Sequence, residues 1–134
     1  MDYETKKDMF GLNGPYEKVK EFHKAFGHPI DQGIMHKARS AWLVEEVNEL
    51  DKATHEGDIA HQARELVDII YFALGGFVEL GLEPQQIFDI IQKANMAKLV
   101  DGKPLYNAQG KVQKPKGWQD PQPVIDEHVR RVKH

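Results

Sequence analysis

Apolar residues recur at helical spacing along four stretches of the chain, and the breaks between them carry glycine or proline. In "LNGPYEKVKEFHKAFGHP", Tyr16, Val19, Phe22 and Phe26 share one face. Asn13 or Gly14 suits the cap, Pro15 the first turn, and Gly27 the stop. A second helix is expected from about Ile34 to His55, ending before Gly57, and a third from Asp58 as cap to about Leu80, ending at Gly81. The turn joining them is so short that they should lie antiparallel. A fourth opens at Pro84 and repeats Ile87, Ile90, Ile91, Ala94 and Ala97. From Asp101 the chain is rich in Gly, Pro and Lys and loses the helical period, so an ordered loop with a short hairpin is expected. "VIDEHVRRVKH" adds a short terminal helix. With no strand set and no repeat, the fold class is all-α: an antiparallel bundle of four to five helices with an ordered C-terminal loop. It reads as one domain over residues 1–134 with its core in 12–121.

The polar positions that interrupt these stripes are more informative than the stripes. On a wheel of roughly 100° per residue, Glu46 falls between Trp42 and Leu50, and Glu49 beside Trp42 and Ala53. Asn48, Asp51 and Lys52 take the opposite, wet face, while Glu45 lies at the margin. On the third helix, residues from Leu66 to Leu80 fill an apolar arc of roughly 200°, about twice an ordinary buried stripe. Glu65, Asp68 and Glu79 share the narrow remainder, where Glu79 reads as simply solvated. Gly75 and Gly76 imply either a close helix contact or a local break. His23 faces the first helix's apolar stripe and reads as a satisfied packing residue.

Glu65 and Asp68 repeat the three-residue spacing of Glu46 and Glu49, so two adjacent antiparallel helices each offer an acidic pair. Carboxylates gathered in a partly apolar cleft cannot all stay ionised unless a cation joins them, because repulsion and desolvation both raise their pKa values. The chain contains no cysteine, and its histidines form no spaced ligand set. Hard oxygen donors alone favour Mg²⁺, with Mn²⁺ as a substitute, and Mg²⁺ commonly shares its shell with substrate phosphates.

Phosphate receives separate support from Lys98, which extends the apolar stripe of the fourth helix, with Asn95 on its flank. Lys103, Lys111, Lys114 and Lys116 follow, and Trp118 comes directly after Gly117. Such a loop suits closing over a polyphosphate and stacking an aromatic ring on a base.

Bulk properties narrow the classes further. A length of 134 residues with 40% apolar content supports a small core that self-association would help to complete. A net charge of −3 provides no global basic field, arguing against a nucleic-acid polymer as partner. "MDYETKKDMF" lacks an apolar export segment and no apolar run is long enough for a membrane span, so a cytoplasmic protein is expected.

The order Glu46-x-x-Glu49, fifteen residues, Glu65-x-x-Asp68 resembles the metal motif of the MazG-like all-α nucleoside triphosphate pyrophosphohydrolases. "EEVNEL", "ELVDIIYF", "KANMAKL" and "GKVQKPKGW" extend the resemblance over roughly residues 36 to 121, toward the phosphoribosyl-ATP pyrophosphohydrolase-like branch. The resemblance implies Mg²⁺ held by Glu46, Glu49, Glu65 and Asp68, and a catalytic group of Glu45, Glu46 and Glu49, with Glu45 orienting the attacking water or holding a second ion. It implies that Asn95, Lys98, Lys114, Lys116 and Trp118 bind the nucleotide. The implied reaction cleaves between the α and β phosphates, giving a monophosphate and pyrophosphate, in a homodimer or dimer of dimers. A house-cleaning or dUTP-directed substrate range is expected; the alternatives are phosphoribosyl-ATP itself and a non-catalytic nucleotide- or metal-binding module.

Overall fold

Glycines in the left-handed conformation end the first three helices: Gly27 at φ 69°, Gly57 at φ 71° and Gly81 at φ 77°. The computed structural model describes residues 11–134, so the N-terminal decapeptide read above for an export segment lies outside the described residues. Among the described residues the helices are α1 (Asn13–Phe26), α2 (Arg39–Glu56), α3 (Ile59–Leu80), α4 (Pro84–Met96) and α5 (Gln122–Lys133). Among the described residues there is no named strand, and the all-α class stands. Isolated bridges pair Val100 with Lys103 and Tyr106 with Val112, giving the loop after α4 its hairpin character. The chain divides into two compact units, one running through Pro84 and the other comprising Gln85–His134.

In the first unit, α3 packs against both α1 and α2. Asp58 caps α3, its carboxylate accepting from the His61 amide at 3.0 Å, so the "EGD" turn stops one helix and starts the next. Tyr16 and Val19 from α1 meet Leu74 and Val78 from α3 to form the core, with Ile30 and Phe77 against it. His23 is buried and its Nδ1 lies 2.8 Å from the Pro29 carbonyl oxygen, the satisfied packing role expected of it. Phe26, by contrast, stays exposed, stacked on Phe22.

The expected start of the second helix is wrong by five residues. Residues 34–38 are not helical because this segment is committed to α3: Asp31 and Gln32 donate to the Val78 and Glu79 carbonyl oxygens, and the His36 amide donates to the Glu79 carboxylate at 3.1 Å. Glu79 is therefore not solvated. It is 1% exposed and receives Arg39 Nε at 2.6 Å, a buried ion pair that outweighs the apparent wet stripe.

The same pair explains the two glycines. α3 runs unbroken through them, and a Cβ at Gly75 would stand 2.5 Å from Arg39 Nη1, while one at Gly76 would stand 3.0 Å from Met35 Sδ. Close approach of the loop, not a break, requires them. Gly75→Ala gains about 1 kcal/mol of helix propensity but forces a held guanidinium aside, so a net loss of about 1–2 kcal/mol is expected in urea denaturation. A variant as stable as the parent would show that Arg39 yields freely.

Only part of the wide α3 arc is covered in this chain. Leu66, Val67, Ile70 and Tyr71 remain exposed, as do Val44 and Val47 on α2. Among the described residues no helix is long and apolar enough to cross a membrane.

Candidate metal centre

The antiparallel α2–α3 pair brings one carboxylate oxygen each from Glu46, Glu65 and Asp68 within 4.8 Å of one another. Glu65 is buried at 6% exposure, while Glu46 and Asp68 are half-buried. Glu65 Oε1 faces His61 Nε2 at 3.2 Å, one turn back on α3, and Asp68 faces Arg64 Nε at 3.9 Å. Among the described residues, no hydrogen-bond donor reaches the buried Glu65 Oε2.

That arrangement is costly for three anions. The Glu46 pKa is raised, first by a hydrogen bond it would share with Glu65, then by burial and by the charges of Glu65, Asp68 and Glu45. Without a cation, a proton on Glu46 is the remaining way to join the carboxyls. A hard divalent ion satisfies the orphaned oxygen and removes the repulsion, so the donor set fits Mg²⁺ or Mn²⁺.

The sign of the pH dependence follows. A carboxyl whose folded pKa is raised contributes stability that is present below its unfolded pKa and lost as pH rises through the folded one. A cation that replaces the proton reverses this loss, so Mg²⁺ is expected to raise Tm more at pH 8 than at pH 5. Equal shifts at both pH values in differential scanning fluorimetry would refute binding at these carboxylates.

Glu49 is exposed on α2 and lies outside the converging trio. Glu45 lines a cavity of about 530 Å³ within the first unit, together with Phe22, Trp42, Tyr71 and Phe72. Asn95, Lys98, Lys114, Lys116 and Trp118 all lie in the second unit. Lys98 is not on α4, which ends at Met96; it sits in the following turn, its amide donating to the Asn95 carbonyl oxygen at 3.2 Å. Its ammonium lies over the Trp118 ring, as does that of Lys114. Lys116 and Trp118 line a second cavity, of about 730 Å³.

The aromatic cavity of the first unit was not expected from the sequence. Trp42 and Phe72 stand one turn from Glu46 and Asp68 on the same helices, and their centroids are 6.4 Å apart. His36 stacks on Trp42 at 4.8 Å, and the Arg39 guanidinium lies 5.2 Å from the same ring. The available signal was that Trp42 precedes Glu46 by four positions and Phe72 follows Asp68 by four, the spacing that puts each ring on the face of its acid.

Residues 19–95 match the family described as phosphoribosyl-ATP pyrophosphohydrolase, more than half of the chain. The chain belongs to that family. A solved structure from Exiguobacterium sp. 255-15, a protein proposed to be an NTP pyrophosphohydrolase, is 32% identical. The match covers 92% of this chain and 98% of that one, with a TM-score of 0.54. No curated protein matches the chain. Family membership and this neighbour make the chain a nucleotide pyrophosphohydrolase, with the all-α fold typical of MazG-like enzymes.

Proposed function

We propose that the chain hydrolyses a nucleoside or deoxynucleoside triphosphate between the α and β phosphates, giving the monophosphate and pyrophosphate, with Mg²⁺ as cofactor. The observation that carries this reading is the convergence of Glu46, Glu65 and Asp68 around the donorless Glu65 Oε2. Glu49 completes the ligand set, and Mn²⁺ substitutes for Mg²⁺. The ion, when bound, neutralises phosphate charge and activates water. Glu45 orients the attacking water and accepts its proton, a role consistent with its exposed position on the cavity wall one residue from Glu46. The cavity's aromatic lining and its size of about 530 Å³ suit a nucleoside, since small-molecule sites commonly span about 300–1,000 Å³.

Charge is divided in the same sense as the chemistry. Residues 1–84 hold nine basic and sixteen acidic side chains, net −7, and residues 85–134 hold nine basic and five acidic, net +4. The acidic unit suits a cation, the basic one phosphates; Asn95, Lys98, Lys114 and Lys116 are assigned there as phosphate contacts. A house-cleaning or dUTP-directed range ranks ahead of phosphoribosyl-ATP in this reading. The uncovered α3 residues Leu66, Val67 and Ile70 support a homodimer or dimer of dimers.

The test is pyrophosphate release from a panel of canonical and modified nucleoside and deoxynucleoside triphosphates with Mg²⁺, for wild type and Glu49→Gln. At least one nucleotide should be turned over, and the variant should lose about a hundredfold or more of the rate. Equal turnover by the variant would remove Glu49 from the site, and nucleotide binding without any turnover would favour a non-catalytic module.

A further inference from the structure

Trp118 reads at first as a platform for a base, but two ammoniums already lie over its ring. Lys98 Nζ lies 5.3 Å and Lys114 Nζ 5.1 Å from the ring centroid. The ring itself is fixed. Its Nε1–H donates to the Ala94 carbonyl oxygen at 2.7 Å, its amide donates to the Pro115 carbonyl oxygen at 3.0 Å, and it is half-buried. These bonds tie the lysine-rich loop to the end of α4, the element that leads directly into Lys98.

We propose that Trp118 is a positioning residue: it gathers Lys98 and Lys114 on one indole to form a grip for the polyphosphate of the substrate, and it does not stack on the base. The inference rests on the reading of these lysines as phosphate contacts. Two ammoniums gathered around a single ring offer a polyanion paired N–H donors. The cation–π attraction removes side-chain freedom from two long, flexible stems before the ligand arrives, so less ordering cost remains for binding. The net charge of +4 on residues 85–134 favours an anion over any other ligand class. A base stacking on the indole would have to compete with these ammoniums for its π-system.

Inorganic tripolyphosphate, which has no base, separates the two roles of Trp118. We would titrate it by calorimetry into the full chain in EDTA, so that neither metal binding nor turnover contributes. Trp118→Leu and Lys98→Gln are each expected to weaken binding about tenfold, and Trp118→Phe, which keeps a π-face but loses the bond to Ala94, by no more than about threefold. Unchanged affinity in a folded Trp118→Leu variant would overturn the proposal. So would Trp118→Phe binding as weakly as Trp118→Leu, or an absence of binding by the wild type. Should Trp118→Leu fail to fold, Trp118→Phe against Lys98→Gln decides the matter alone: a larger loss in the Phe variant overturns it. Failure of the grip with nucleotide turnover intact would leave the hydrolase reading standing, and a grip without turnover would leave only the grip.

Discussion

Replacing Glu65 by glutamine is expected to lower pyrophosphate release about a thousandfold or more while the helices remain folded. Glu65 is the most buried of the converging carboxylates and holds the oxygen with no donor. The amide supplies an N–H where a cation would sit, so the apo protein should become more stable as the ligand set is lost. This paired outcome separates a metal ligand from a structural acid, which would lose stability on the same change. Thermal denaturation in EDTA together with a pyrophosphate assay checks both halves. A destabilised apo variant, or one that keeps its activity, contradicts the assignment.

The second large effect concerns stability. Arg39→Met removes one partner of a buried pair and leaves the Glu79 carboxylate, among the described residues, with the His36 amide as its hydrogen-bond donor, at an expected cost of about 3–5 kcal/mol. A fall in Tm of about 10 °C or more should follow. Burial alone would raise the Glu79 pKa, but the Arg39 hydrogen bond, the His36 amide and the charge of Arg39 together hold it below 4.5. A depressed carboxylate contributes stability above its unfolded pKa and loses it as pH falls through the folded one. Acid should therefore destabilise the parent through this pair below about pH 4.5. Arg39→Met should lack most of that acid-sensitive component, and the double variant Arg39→Met, Glu79→Gln should recover most of the lost Tm. If the single variant melts with the parent, the pair is not what anchors the 34–38 loop to α3.

How much of this was readable beforehand depends on the range of the interaction involved. Gly27, Gly57, Asp58 and Gly81 mark helix ends through their own backbone preferences, so the first-, second- and third-helix boundaries they set were legible. The acidic trio was legible because Glu46, Glu65 and Asp68 interrupt helical stripes that period alone locates. The start of α2 was not. Ile34 and Met35 continue the apolar period, but the loop's bonds go to residues more than forty positions away on α3, which no local pattern records. Glu79 misled for the same reason, since the arginine that neutralises it lies across the fold. Lys98 was drawn onto α4 by the stripe of Ile87, Ile91 and Ala94, whereas the helix ends at Met96 and its ammonium is turned to Trp118. The aromatic cavity needed three separate elements, α1, α2 and α3, to be packed before it existed.

The most direct test of the account is ³¹P NMR of the products formed from the best nucleotide of the panel, with Mg²⁺ and with EDTA. A nucleoside monophosphate and pyrophosphate in equal amounts are expected with Mg²⁺, and no turnover once the cation is removed. Release of orthophosphate with a nucleoside diphosphate, or turnover that persists in EDTA, would contradict it.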